Sequence, residues 1–498
     1  MRLSEFTPAD RELAQVAPGG ELIYKCLGCG HSHGIENLLY TCPDCGAVLL
    51  IEDQDFERFK ALPGPDWRRR FDLRSMLNDP AVKGIFRYHE LIASIVPADS
   101  VLYLGEGHTP LVEATALLRD AVGCSFAFKN DGQNPSASFK DRGMAVALSF
   151  LNFLIKHRGA GNILSVCAST GDTSASAALY AAYLAPAVKS AVLLPSGKVT
   201  PQQLAQPLGA GAAVFEIPGV FDDCMKVVEY LADHFQVALL NSKNAWRIRG
   251  QESYSFEVAQ DLDYDLAGRA LLVPIGNAGN ISAIMAGLLK LLALGIITSL
   301  PKVVGVQSHH ADPVFRYYQE TDPAKRKWRP VTVQASVAQA AMIGNPVSMP
   351  RVVELARRYD EAAGRPAVFV VQVSEQQIMD NMILANRHGH IVCTQGGESL
   401  AGLRKALELG IVDSGEQAIL DATAHHLKFI GFQQMYFEDS FPPDFGVKPR
   451  QELINAPQEV LAGDKQPSPG QPLNDNEFKE FVEATALEIA RRLGLEKR

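Results

Sequence analysis

Between residues 161 and 240 short apolar runs alternate with longer helical ones, and few folds accept that order. Ile163–Cys167, Ala191–Leu194, Val214–Ile217 and Val237–Leu240 read as strands, with helical runs at 174–184, 200–208 and 221–235 between them. Strands separated by helices call for a parallel sheet covered on both faces. A second alternating stretch runs from 270 to 440, so two α/β bodies are expected within the 498 residues. A ligand then belongs in the cleft between them, at the carboxyl ends of the strands.

Composition removes several classes of function. Hydrophobic residues make up 47% and charged residues 21%, ordinary values for a globular chain rather than a disordered one. A net charge of −9 argues against a general nucleic-acid surface. No basic segment followed by an apolar one opens the chain, so no secretory signal is read. The most apolar windows are broken by Asn277, Asn280 and Lys290, which excludes a membrane helix. Eight cysteines, four of them clustered, suit a reducing cytoplasm rather than a disulfide framework.

That cluster is Cys26-x-x-Cys29 and Cys42-x-x-Cys45. Each pair turns two thiolates toward one ion, with Gly28, Gly30 and Gly46 permitting tight knuckles. Four thiolates make a closed tetrahedral zinc site, structural rather than catalytic. The alternative is a ribbon folded without metal on Leu22, Ile23 and Val48. His31 and His33 are read as loop residues, since four sulfurs complete the shell. Residues 55–100 look mainly helical. Beyond about 440 prolines accumulate, before an amphipathic helix with Phe478, Val482, Ile489 and Leu493 near one face.

Two motifs carry chemistry. Asn134-Pro135-Ser136-Ala137-Ser138-Phe139-Lys140 is a polar turn leading into an apolar helix. Ser138 is placed to cap that helix, which puts Lys140 in the first turn, where the helix dipole disfavours an ammonium. A lysine held neutral is a nucleophile or a base, and Schiff-base chemistry is its commonest use. Downstream, the strand Ala270–Ile275 runs into Gly276-Asn277-Ala278-Gly279-Asn280 and then an apolar helix. Strand, glycine loop and helix aim backbone N–H groups at a phosphate. The loop lacks the lysine and hydroxyl of a nucleotide P-loop and is too short for a dinucleotide. An imine-forming lysine with a monophosphate cup implies pyridoxal 5′-phosphate.

At this point the sequence resembles a known family. Leu104 to Leu111, Ser138 to Gly143, Ala168 to Ser174, Gly276 to Asn280 and Ile343 to Ser348 are similar, in this order, to motifs of the threonine synthases. The resemblance implies a two-domain α/β enzyme of fold type II with parallel twisted sheets. A zinc-ribbon-like element would occupy 1–55 and a C-terminal extension 441–498. The large cofactor domain would comprise 56–130 and 241–440, and a smaller domain, 131–240, would carry Lys140. It implies that Gly276 to Asn280 hold the cofactor's phosphate, that Thr423 lies beside its ring nitrogen, and that Asp172 meets its phenolic oxygen. Many members have asparagine at this last position, so a shared proton or a nearby cation is expected at Asp172; a plain helix cap is the simpler alternative.

Ser169, Thr170 and Thr173 would then bind the substrate's carboxylate. The resemblance places Asn241, Ser242, Asn244 and Arg247 around the substrate's phosphate, although Arg247 could instead be a solvated surface arginine. The implied activity converts O-phospho-L-homoserine and water into L-threonine and phosphate. His426 departs from the family pattern, where glycine precedes the leucine. A threonine or serine dehydratase of the same fold is the nearest alternative, and a zinc-ribbon interaction protein with an inactive body the other. A homodimer is the prior expectation.

Overall fold

The computed structural model describes residues 1–161, 163–169, 171–196, 201–218, 221–462 and 465–497. They form two compact units, Met1–Pro449 and Arg450–Arg498. The first unit opens with an antiparallel sheet of β1 (Leu22–Cys26), β2 (Ser32–Gly34) and β3 (Leu49–Asp53), with β1 central. Leu22, Tyr24 and Cys26 alternate inward along β1, the period-2 pattern of a strand with one covered face. After β4 (Leu111–Glu113) and β5 (Ser125–Lys129) come four strands of a second body: β6 (Ile163–Ala168), β7 (Val188–Pro195), β8 (Ala213–Ile217) and β9 (Val237–Leu239). The chain then returns to the first body through β10 (Arg269–Pro274), β11 (Lys302–Ser308), β12 (Val368–Val373) and β13 (Gln417–Asp421).

The smaller sheet is fully parallel, in the order β8-β7-β6-β9. The larger runs β12-β11-β10-β13-β5-β4 and is parallel except at the edge, where β4 is antiparallel to β5. Its central strands are covered on both faces, which is why β10 reads as the unbroken run Ala270 to Pro274. The expected alternation is present in both stretches. β7 begins earlier than the apolar run suggested, because pairing with β6 extends through Lys189 and Ser190. The break before the C-terminal unit also falls later than residue 440. Phe441 and Phe445 cluster with Phe432, and the amide of Lys448 donates to Gln376 Oε1 at 2.7 Å, so this stretch belongs to the first unit. In the second unit the helix Asp475–Leu493 is capped by Asn474 and Glu477, and none of its residues is buried within that unit.

A buried charge network fixes the end of the sheet from which the site is built. Arg142 forks onto Asp131, with Nε to Oδ2 at 2.8 Å and Nη2 to Oδ1 at 2.7 Å. Its Nη2 also reaches Glu257 Oε2 at 2.8 Å, where Lys129 Nζ lies 3.2 Å away; Arg87 meets the other oxygen at 3.3 Å. Asp141 takes no part, because consecutive helix residues point about 100° apart. It accepts instead from the amide and hydroxyl of Ser136, both at 2.6 Å. Three cations hold the Glu257 carboxyl well below the usual carboxylate range despite its burial. Removing one member of such a cluster strands the others. Glu257→Gln is therefore expected to lower unfolding stability by about 3–5 kcal/mol in denaturant titration at neutral pH. Because the folded value lies below the unfolded one, near 4.5, this contribution is complete above pH 4.5 and lost as pH falls toward the folded value.

Candidate active site

Lys140 is the first residue of the helix Lys140–Arg158, but Ser138 does not cap it. The N-cap is Phe139, without a side-chain bond, and among the described residues the buried Ser138 hydroxyl has no partner. The backbone here pairs with the segment after β13: Phe139 N donates to Thr423 O at 2.9 Å and His425 N to Ala137 O at 3.1 Å. Ser138 bridges Ala424 between them. Phe139 stands between Ser138 and the helix, so the serine lies one residue too early to cap it. The same pairing sets Lys140 beside Thr423.

A close helix crossing brings Arg247 to the same place. A Cβ on Gly250 would lie 2.2 Å from Arg142 O, and one on Gly143 would lie 2.8 Å from Arg247 O. Only glycine allows the helices Lys140–Arg158 and Ala245–Gln251 to touch backbone to backbone. Arg247 is 1% exposed; its Nη1 donates to Leu240 O at 3.0 Å, while Nε has no partner among the described residues. It is not a solvated surface arginine, and neither is Arg249, which donates to Ile51 O at 3.3 Å.

Among the described residues nothing hydrogen-bonds Lys140 Nζ, which sits 3.9 Å from the centroid of the Phe139 ring. Burial, reinforced by the Arg247 charge, pushes this amine down to about 7; Asp172 and Asp421 oppose the shift and Lys428 adds to it. A neutral amine is thus available near physiological pH.

The phosphate cup lies between β10 and the helix Gly279–Ala293. Ala278 is left-handed, with φ 62°, and turns the chain into the helix. Among the described residues the amides of Gly276, Asn277, Ala278, Gly279 and Asn280 donate to nothing. Free amides at a helix start form an anion cradle. Pyridoxal phosphate fits these residues: a neutral amine for its aldehyde, unfilled donors for its phosphate. Asn280 donates to Asp421 Oδ2 at 2.7 Å, and Ser348 N to Asn277 O at 3.2 Å, which ties the cup to the start of the helix Met349–Ala363.

The other expected residues separate by how their polar atoms are used. Asn241 donates to Ala168 O at 2.7 Å and accepts from Ala168 N. Asn244 caps the helix Ala245–Gln251 and donates to Leu239 O. Each amide commits one of its two N–H donors to shaping the loop. Ser242 lies part-exposed beside them. Ser169 accepts from Gly171 N at 3.2 Å, and Thr173 is part-exposed in the first turn of the helix Asp172–Tyr183. Thr170 lies outside the described residues. Asp172 is not a helix cap; its Oδ1 pairs with Lys428 Nζ at 2.9 Å. Thr423 Oγ1 is 3.8 Å from Cys393 Sγ.

The four cysteine sulfurs of the ribbon lie within 4.8 Å of one another. His33 is on β2 rather than in a loop, with Nε2 3.3 Å from Cys42 Sγ, and His31 meets Asp44 at 2.7 Å.

The sequence pattern of the pyridoxal-phosphate dependent enzymes matches residues 102–420. A threonine synthase of Methanocaldococcus jannaschii is 35% identical over 407 residues, which cover 82% of this chain and 93% of that protein. The chain belongs to the threonine synthases. Threonine synthase 2, chloroplastic, of Arabidopsis thaliana is 30% identical and covers 80% of this chain and 75% of its own length. The crystal structure of threonine synthase from Escherichia coli superposes with a TM-score of 0.59 at 19% identity, over 93% of this chain and 95% of that one. The fold is thus that of the type II pyridoxal-phosphate enzymes.

Two residues at this candidate site, Arg351 and Lys428, were not singled out by sequence reasoning. Ser348 and Arg351 brace the cup: Arg351, fully buried, donates to Ser348 Oγ, Ser242 O, Lys243 O and Leu49 O. Nothing in an isolated arginine signals such a role. Lys428 did leave a signal, since a cation was expected beside Asp172. A Cβ at Gly276 would lie 2.9 Å from the Ala341 Cα, a backbone atom with little room to yield. Overpacking of this kind costs about 1–3 kcal/mol. Gly276→Ala should therefore weaken cofactor binding roughly 10- to 100-fold, measured by equilibrium dialysis of the stripped protein.

Proposed function

We propose that this chain produces L-threonine and phosphate from O-phospho-L-homoserine and water, with Lys140 as both cofactor anchor and proton-transfer base. The observation that carries this reading is the unpaired Lys140 amine beside a buried Arg247 with an unfilled donor. Bound pyridoxal phosphate supplies an electron sink that acidifies the carbons next to the substrate's amino group. Lys140, neutral near pH 7, takes the α-proton and later returns it. Arg247 and Ser242 hold the γ-phosphate, and a guanidinium with free N–H groups favours the dianion that departs. Asn241 and Asn244 keep that loop in shape. Ser169, Thr173 and the first amides of the helix Asp172–Tyr183 receive the carboxylate, with Thr170 assigned to the same loop by its place in the sequence. Thr423 would offer a hydroxyl to the ring nitrogen of a bound cofactor, and Asp172, paired with Lys428, would meet its phenolic oxygen.

Incubation of the cofactor-loaded protein with O-phospho-L-homoserine should release threonine and inorganic phosphate in equal amounts. Dominant release of 2-oxobutyrate from threonine would instead identify a dehydratase. Arg247→Gln is expected to lower kcat/KM about 10²- to 10³-fold, since truncating a buried charged partner costs about 2–5 kcal/mol. Borohydride reduction should leave the pyridoxyl label on the peptide containing Lys140.

The ribbon's four thiolates are assigned to one structural zinc ion, and their separations match a tetrahedral sulfur site. The ribbon abuts the substrate loop: Trp246 donates to Tyr24 Oη at 3.0 Å, and Arg351 to Leu49 O at 2.7 Å. Metal analysis should find one zinc per chain. Loss of zinc in Cys29→Ser/Cys45→Ser should raise the KM for the phosphorylated substrate more than it lowers kcat.

We further place the enzyme in the cytoplasm as a homodimer acting on a small molecule, not on nucleic acid or membrane. All eight cysteines are unpaired. Among the described residues no helix is long and apolar enough to cross a membrane.

A further inference from the structure

Lys428 and Asp172 come from opposite sides of the cleft. Lys428 belongs to the short turn His426–Phe429 after β13 of the large sheet, and Asp172 opens the helix after β6 of the small one. Their ion pair, 2.9 Å long, joins side chains that are 15% and 4% exposed. Lys428 Nζ also donates to Ser136 O at 2.9 Å, a carbonyl shared with Gln206 Nε2 at 3.2 Å. Ser136 stands four residues before Lys140, in the turn that sets the lysine's position. The pair is therefore fastened to the backbone that presents the amine.

We propose that Lys428 is a positioning residue: its ion pair with Asp172 bridges the two sheets beside Lys140 and presents the amine, and any group bound to it, with a compensated charge instead of a bare carboxylate. The inference rests on the assignment of Lys140 as the reactive amine, but not on the identity of the substrate.

The groups facing the amine come from every element packed around it. Arg247 lies on the helix Ala245–Gln251, Cys167 on β6, Asp172 on the next helix, Asp421 on β13 and Lys428 on the turn beyond. The Phe139 ring covers one side. Arg247 and Lys428 disfavour the ammonium, while Asp172 and Asp421 favour it. Removing Lys428 leaves Asp172 uncompensated, and the amine then keeps its proton to higher pH. Neutralising Asp172 leaves two cations against it, and the proton departs at lower pH. Removing both charges cancels most of the change. A strut without electrostatic influence gives no such ordered signs, since breaking it from either side loosens the same contact.

The test is the pH dependence of reductive methylation at Lys140 by formaldehyde and cyanoborohydride, read by peptide mapping of the full-length cofactor-free protein. Relative to the unsubstituted chain, Lys428→Met should move the midpoint up by about one pH unit and Asp172→Asn down by about one. Asp172→Asn/Lys428→Met should return it to within a few tenths, and Lys428→Arg should leave it in place. Singles that shift in the same direction, or a Lys428→Met midpoint that does not move, overturn the proposal. If Lys428→Met is recovered unfolded, Asp172→Asn and the double variant decide: a downward shift reversed in the double supports compensation, and an unreversed one refutes it. The pH midpoint of the visible absorption band in the cofactor-loaded variants should follow the same order. An unsubstituted protein whose Lys140 titrates like an ordinary lysine would instead undo the assignment of Lys140 itself.

Discussion

Withdrawing an ammonium from water costs it its hydration, so an amine enclosed by protein gives up its proton more readily. That penalty, at Lys140, is the constraint around which the site is arranged. The amine has protein on several sides and no hydrogen-bond partner among the described residues, yet a substrate must still reach it. Pairing of Ala137–Phe139 with Thr423–His425 holds the helix start against the large sheet. The glycine crossing at Gly143 and Gly250 lets Arg247 approach from another side. Neither contact tolerates a larger or displaced neighbour, and both act on backbone rather than on adjustable side-chain ends.

Charge compensation recurs at two depths. Buried behind the helix start, Arg142, Lys129 and Arg87 surround Glu257 and Asp131, and this cluster fixes the first helical turn on the end of β5. Near the amine, the Asp172–Lys428 pair links the small sheet to the large one. The deeper cluster is inaccessible and serves stability. The shallower one lies at the cleft, where changes in its charges are felt by Lys140. Arg351 adds a third brace, joining the ribbon strand β3, the loop at Ser242 and Lys243, and the phosphate cup through Ser348. The ribbon is thereby in mechanical contact with the parts of the site assigned to phosphate.

Much of this was legible in the chain. The alternation of apolar runs corresponded to β6, β7, β9 and β10 because buried parallel strands need apolar residues on both faces, and to β8 at the exposed edge of the small sheet. Gly276 to Asn280 was readable as a phosphate cup because strand, glycine loop and helix constrain the backbone locally. The Cys26, Cys29, Cys42 and Cys45 spacing pointed to a four-sulfur cluster for the same reason. Where reasoning went astray, a distant partner had intervened. Ser138 has the right chemistry for a cap, but Phe139, whose amide donates to Thr423, takes the cap position. Asn241 and Asn244 carry a second duty invisible locally, since each also gives one amide N–H to a backbone carbonyl, of Ala168 and of Leu239.

The sequence by itself determined the α/β class, the strand–loop–helix at Gly276 to Asn280, the cysteine cluster and, through motif order, the family. Each depends on groups separated by a few residues, where bond geometry leaves little freedom. Only the tertiary structure decided that Lys428 compensates Asp172, that Arg351 ties ribbon to cup, and that Arg247 faces the amine. Those contacts join residues far apart along the chain, and their distances are set by how two sheets and their helices pack, which no local pattern encodes.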